Sequence, residues 1–275
     1  MSERDLVGVG VAGCGRMGTP MLAALRASGF DARGFDIRAP SDYGDFAPAM
    51  TDRPAVFARN LRILITVVRD IHQTEIVLFG AHGLVAKSKN LEQIIICSTL
   101  SPRYLRDLQA RVPAHIRLID APMSGAQIAA RERRLSFMLG GTPDNLDQMQ
   151  PLFNAMGKHF HRMGEFGTGM TAKVLNNLLA ASNTAMTRLV LGWADHAGLD
   201  ERKLLELISS SSGQNWFASG FDEIEFSRDG HAEDNTIGIL VKDVESALDA
   251  APEGADTDLP RAVQASIRAL RQKPR

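Results

Sequence analysis

A short apolar run at 6–12 (LVGVGVA) ends on Gly13-Cys14-Gly15-Arg16-Met17-Gly18. Residues 19–28 (TPMLAALRAS) follow with helical spacing, and 30–36 (FDARGFD) read as a second strand closing on Asp36. Strand, GxGxxG, helix, strand and acid, in that order, admit few folds, and the arrangement is the fingerprint of a dinucleotide-binding βαβ unit. Each glycine has a mechanical task. Gly13 permits the tight turn, Gly15 lets backbone approach a pyrophosphate, and Gly18 lets the helix pack closely on the strand. The helix N-terminus then offers N–H groups and a partial positive charge to phosphate. A carboxylate at Asp36 suits the hydroxyls of an adenosine ribose and repels a 2′-phosphate, which favours NAD over NADP. Arg38 pulls the other way, because a guanidinium pairs with that phosphate, so NADP stays open. The plainer reading, a glycine turn with loop charges at Asp36 and Arg38, does not account for the strand and helix on either side.

The α/β pattern continues. Near-continuous apolar strands are expected at 62–68, 93–98, 117–121 and 134–139, with helices at 73–78, 103–110 and 147–156. Such alternation predicts a doubly wound, Rossmann-type parallel sheet covered on both faces. Ligands of such sheets lie beyond the carboxyl ends of the strands, here the loops starting at Gly13, Val68, Thr99 and Ala121. Residues 167–196 carry no proline and repeat Leu, Met and Ala at helical spacing, so one long helix is expected. Lys173 and Asn177 fall one turn apart on one face of its opening turns, a pattern that also occurs on plain solvated faces. Beyond Gly198 the chain reads as helical at 201–209, 218–226, 237–250 and 260–271. The division expected is a dinucleotide-binding domain over 1–163 and a helical substrate and dimerisation domain over 164–275. A long helix with apolar residues on both sides predicts a homodimer or homotetramer.

Composition excludes several classes. Thirty-one basic and 32 acidic side chains nearly cancel, so neither a nucleic-acid surface nor a membrane surface is expected. Two cysteines, Cys14 and Cys97, in apolar surroundings predict a reducing, cytoplasmic setting, and no signal peptide or membrane-length apolar run is read. His159 and His161 alternate as two metal ligands would, but no third ligand stands at metal spacing, and a surface strand with no metal is the expectation. Trp216 and Phe217 suit either a cap over a cleft or core packing.

GCGRMG with its acid, STLSP, DAPMSGA, GTGMTAKVLNN and VKD, in this order, resemble the β-hydroxyacid dehydrogenases, the 3-hydroxyisobutyrate dehydrogenase group related to 6-phosphogluconate dehydrogenase. The resemblance runs from about Leu6 to Leu270. It implies an enzyme passing hydride between NAD(P) and a small β-hydroxy acid or its semialdehyde. Lys173 matches the family's general acid/base and Asn177 the asparagine on the reacting oxygen. Ser124, Gly125 and Ala126 match the loop holding the substrate carboxylate. Val67 and Thr99 match residues beside the nicotinamide, and Lys242 a lysine reaching cofactor and substrate. Two departures stand out: Ala126 replaces a common glycine, and 131–134 (RERR) replaces a small glycine-bearing stretch. The resemblance also predicts a glycine-rich tail beyond the last helix, where this sequence ends at Arg275. Two alternatives are an imine reductase, a related group that generally lacks the lysine, and a catalytically silent nucleotide-binding protein.

Overall fold

The computed structural model describes residues 6–125 and 127–274 of the chain. They form two compact units, divided between Lys173 and Val174.

In the first unit, nine strands among the described residues make one sheet in the order β3-β2-β1-β4-β5-β6-β8-β7, with β9 paired to β8. The parallel part comprises β1 (Val9–Ala12), β2 (Ala32–Phe35), β3 (Met50–Thr51), β4 (Ile63–Thr66), β5 (Gln93–Ile96) and β6 (Arg117–Asp120). This order reverses direction between β1 and β4, the switch point at which doubly wound sheets bind ligands. The rest departs from the expected parallel pattern. β8 (Leu135–Gly140) runs antiparallel to β6 and to the short β7 (Met123–Ser124), while β9 (Gly157–Gly164) is parallel to β8. The expected first strand over 6–12 begins only at Val9, because Gly8 is left-handed (φ 69°).

Period-two alternation divides the buried side chains between two faces. Val9, Val11, Ile63, Ile65, Ile95 and Ile119 pack with Met21, Leu22 and Leu25 of α1 (Gly18–Ala27) and with Leu146, Met149 and Phe153 of α7 (Pro143–Met156). Leu64, Ile94 and Ile96 face the other way, against Phe57 of α2 (Pro54–Ala58), Leu78 of α3 (Ile71–Leu78), Leu84 of α4 (Leu84–Lys87) and Leu105 and Leu108 of α5 (Pro102–Arg111). Each such side chain stabilises the fold by roughly 1.5–3 kcal/mol on burial. Caps fix where helices start. The Asp70 carboxylate accepts the Gln73 N–H of α3 at 2.8 Å, and the Ser101 hydroxyl, followed by Pro102, accepts the Arg103 N–H of α5 at 3.1 Å.

Helix α6 (Gln127–Arg131) leads to β8, and β9 leads into α8 (Thr168–His196), the long helix of the sequence reading. Its start is held by a residue far away in the chain. Asp120, fully buried at the end of β6, accepts the Gly167 N–H at 2.6 Å on Oδ1 and the Met170 N–H at 2.5 Å on Oδ2.

The second unit is helical. Ala181 and Ala185 of α8 pack with Ile237, Leu240 and Val244 of α11 (Thr236–Asp249) and with Val263 and Ile267 of α12 (Asp258–Arg268). Leu191 of α8 packs with Leu205 of α9 (Glu201–Ser210) and with Phe217 and Ala218 of α10 (Trp216–Ser219). The helix expected over 218–226 is therefore wrong. α10 starts two residues earlier, where Asn215 caps the Phe217 and Ala218 N–H groups, and stops before Gly220. Arg188, buried on α8, donates to the carbonyl oxygens of Ser227, Asp229 and Arg271 at 2.8, 2.8 and 2.5 Å, which ties the C-terminal segment to the helix.

Burial pushes the Asp120 carboxyl up to about 6, and the Gly167 and Met170 N–H groups oppose that shift. An unfolded aspartate titrates near ~3.9, so between the two values the fold binds the extra proton. The contribution of Asp120 to stability therefore falls as pH rises from about 4 to about 6, by on the order of 3 kcal/mol. We expect the stability of wild type relative to Asp120→Asn, from denaturant titrations, to rise by about 2–3 kcal/mol between about pH 7 and about pH 4. A pH-independent difference would contradict this origin of the shift.

Candidate functional site

The glycine loop joins β1 to α1 at the switch point. Gly13 is left-handed (φ 92°), its N–H donates to the Phe35 carbonyl at 2.9 Å, and a Cβ there would lie 2.7 Å from the Val67 carbonyl oxygen. A Cβ at Gly18 would lie 2.1 Å from the Gly13 carbonyl oxygen. Both positions thus exclude a side chain because the loop folds on itself and on the end of β4. Gly15 differs: a Cβ there would have no atom within 4 Å, so its bare backbone faces open space. Helix α1 begins beside it with no side-chain cap and no acidic residue in its first turn. Exposed glycine backbone and an uncapped helix N-terminus together fit a dinucleotide pyrophosphate. Arg16 is exposed on this loop, while Met17 and Val67 are half-buried against the core.

Asp36 follows β2, and its carboxylate is mostly shielded. It accepts the Arg38 backbone N–H at 3.2 Å and the Arg38 Nε–H at 3.3 Å. The other end of the guanidinium donates to the Cys14 carbonyl at 2.7 Å, and the group lies over the Tyr43 ring. Arg38 is therefore pinned between Asp36 and the glycine loop. The sequence reading set these two residues against each other; the structure makes them one ion pair beside the glycine loop.

Thr99 is half-buried in the loop after β5. The next residue, Leu100, donates its N–H to the Met170 sulfur of α8 at 3.2 Å. Ser124 is half-buried at the end of β7, paired with Ser136 of β8. Gly125 is left-handed (φ 119°), and a Cβ there would lie 2.7 Å from the Ala129 Cβ, so α6 packs directly over it. Ala126 lies outside the described residues. Lys173 closes this unit, buried on α8 with 7% exposure, one turn beyond the Met170 N–H that Asp120 holds.

In the second unit Asn177 is also buried, at 8% exposure. Its Nδ2–H donates to Oδ2 of Asp243 at 2.6 Å, and the other oxygen of that carboxylate stands 3.4 Å from the Lys242 ammonium. The structure thus brings Asn177 and Lys242 together through Asp243, on α11. Asp120 and Asp243 are the residues sequence reasoning passed over. Both stand inside motifs read for other members, DAPMSGA and VKD, and a carboxylate inside an apolar stretch is the signal that finds them.

Other candidates have structural explanations. The Cys14 thiol is buried, touches the Val11 carbonyl and is pushed up to about 12 by burial, so it is no nucleophile. His159 and His161 are exposed on β9. Phe217 is fully buried among Leu191, Leu205 and Phe221, which makes it core, while its neighbour Trp216 stays part-exposed. In the RERR segment Arg131 ends α6, Arg133 is left-handed (φ 55°), and Arg134 pairs with Glu132.

Residues 8–164 match the family model for the NAD binding domain of 6-phosphogluconate dehydrogenase, and 167–273 the model for the NAD-binding region of NADP-dependent 3-hydroxyisobutyrate dehydrogenase. The 3-hydroxyisobutyrate dehydrogenase of Pseudomonas aeruginosa is 30% identical over 207 residues, covering 74% of this chain and 70% of that one. The NAD-dependent L-serine dehydrogenase of the same organism is 31% identical over 209 residues, with the same coverages, 74% and 70%. Among solved structures, the Mycobacterium tuberculosis 3-hydroxyisobutyrate dehydrogenase with L-serine superposes with a TM-score of 0.79 at 25% identity, over 96% of this chain and 95% of that one. With a Rossmann-type sheet, a loop shaped for a pyrophosphate and both halves matched in order, the chain belongs to the β-hydroxyacid dehydrogenase family, NAD(P)-dependent oxidoreductases acting on CH–OH groups.

Proposed function

We propose that this chain oxidises the hydroxyl of a small β-hydroxy acid, or reduces the matching semialdehyde, with Lys173 as general acid/base and NAD as the preferred cofactor. The observation that carries the reading is the burial of Lys173 and Asn177 one turn apart on α8. Solvated i,i+4 polar pairs are exposed, whereas this amine and amide are both buried on one helix, and buried ionisable groups concentrate at functional sites. The bound nicotinamide supplies the hydride acceptor or donor. Lys173 takes the proton from the substrate hydroxyl as the carbon is oxidised and returns it in the reverse direction. A base in this role has to be neutral when it accepts, and burial is the usual means of making a lysine amine accessible near neutral pH. Asn177 orients the reacting oxygen, and its amide is held by Asp243. Ser124, with the backbone at Gly125 and Ala126, takes the substrate carboxylate through charge-assisted hydrogen bonds. Gly13, Gly15, Arg16, Met17 and Gly18 hold the pyrophosphate, Asp36 with Arg38 the ribose, and Val67, Thr99 and Lys242 the nicotinamide end. NAD is preferred because the Asp36 carboxylate occupies the Arg38 guanidinium that a 2′-phosphate would need.

The same proposal divides the chain into a cofactor domain over 1–163 and a helical domain over 164–275, in a cytoplasmic homodimer or homotetramer. Two buried free thiols support a reducing compartment. No helix among the described residues is long and apolar enough to cross a membrane. A stripe on α8 supports self-association. Leu175, Leu179, Met186, Leu189 and Trp193 are exposed, and with Ser182 they step by four and three alternately, the spacing of a helix seam. An exposed apolar seam of this length on a helical unit is the kind of surface a second copy covers.

Two experiments test the reading. Absorbance of reduced nicotinamide, followed with 3-hydroxyisobutyrate, 3-hydroxypropionate, glycerate, L-serine and threonate, each with NAD and NADP, should report one acid preferentially with NAD. Lys173→Ala should then lose roughly 10²–10⁴-fold in kcat while binding cofactor as wild type does. Turnover that survives the substitution sinks the acid/base assignment, and lysine-independent amine formation from a ketone and an amine would favour an imine reductase instead. Leu179→Glu with Trp193→Glu should give monomers by sedimentation velocity; an unchanged oligomer would place the interface elsewhere.

A further inference from the structure

Helix ends ordinarily need only a local cap, and α3, α5, α9 and α11 have one: Asp70, Ser101, Asp200 and Asn235 each cap a neighbouring N–H. The start of α8 is held instead from β6, by a carboxylate 47 and 50 positions earlier in the chain. We propose that Asp120 is a positioning residue for Lys173: through the Gly167 and Met170 N–H groups its carboxylate sets the rotation and height of the turn from which the Lys173 side chain leaves. The inference rests on the assignment of Lys173 as the acid/base.

The two hydrogen bonds use different oxygens, Oδ1 for Gly167 and Oδ2 for Met170. One bond would leave the helix free to swivel about it; two on a rigid, planar carboxylate do not. The carboxylate is crowded on one side by β8, where a Cβ at Gly140 would lie 2.1 Å from its Oδ1. The same strand presses on the helix, where a Cβ at Gly169 would lie 2.4 Å from the Met138 carbonyl oxygen. A further tie comes from the Met170 sulfur, which accepts the Leu100 N–H. Lys173 stands three residues beyond Met170, on the same ridge of the helix. The surrounding elements bring few charges. β8 has none, β6 has Arg117 at its opposite, exposed end, and the approach to α8 and its first turns have Glu165 and Lys173. The carboxyl is raised by burial rather than by a neighbouring charge.

Asp120→Asn keeps size and shape but turns an N–H donor toward one of the two helix N–H groups. Without cofactor or substrate, acylation of Lys173 by a soluble succinimidyl ester, followed by mass spectrometry, should accelerate at least about fivefold, while the other lysines keep their rates. With NAD and the hydroxy acid the wild type oxidises, kcat should fall at least about tenfold, with KM and the NAD Kd within about twofold. In the Lys173→Ala background the same substitution should cost nothing more, because Asp120 acts through that amine. An unchanged acylation rate, a kcat within about twofold of wild type, or losses that add in the double variant would overturn the inference. Full turnover by Lys173→Ala alone would instead mark failure of the acid/base assignment. Should the asparagine variant not fold, Asp120→Glu, which keeps the charge and displaces it by one methylene, is read by the same criteria.

Discussion

A carboxylate shut away from water has to find donors, and Asp120 finds two in the backbone of a helix that starts far downstream. That pair of bonds fastens the start of α8, the longest helix among the described residues, to the end of β6. The Leu100 N–H to Met170 sulfur contact adds the loop after β5, the expected nicotinamide side, to the same knot. Since Lys173 follows within a turn, the placement of the candidate acid/base is decided by strand register rather than by the helical unit to which most of α8 belongs.

Within each unit the other candidate residues use the same physical means, a polar group made tolerable by a fixed partner. Asn177 is held by Asp243, Asp243 has Lys242 beside it, and Arg38 is shared between Asp36 and the Cys14 carbonyl. Each arrangement restricts a group that, exposed, would sample many rotamers. Preorganisation of this kind is what alignment of a hydroxyl, a base and a dinucleotide demands. The glycine loop contributes by omission: Gly13 and Gly18 are required by the loop's own crowding, whereas Gly15 is small with nothing beside it.

Much of this was legible in the residues. The strand, glycine loop, helix and second strand occur in the order read, because period-two and 3.6-residue patterns and left-handed glycines are local properties. β1 is shortened to Val9–Ala12 and β2 to Ala32–Phe35, with Asp36 just beyond it. The long helix was legible for the same reason. The antiparallel β8 and the parallel β9 were not, since strand direction depends on connections and not on any window of sequence. The helix expected over 218–226 failed because Asn215 caps earlier and Gly220 ends the helix, so Phe217 and Phe221 are buried as an aromatic core rather than along a helical stripe. Asp120 and Asp243 escaped notice because the groups that hydrogen-bond to their carboxylates lie 47 or more positions away, and only the folded backbone brings them together.

The central claim is that Lys173 acts by giving and taking a proton, not merely as a positive charge. Lys173→Arg separates the two, because a guanidinium keeps the charge and does not deprotonate near neutral pH. Turnover of the arginine variant, measured at cofactor saturation with the hydroxy acid the wild type oxidises and with NAD binding confirmed by calorimetry, is the direct test. The account predicts wild-type NAD affinity with turnover reduced as far as in the alanine variant. Turnover near that of wild type would contradict it.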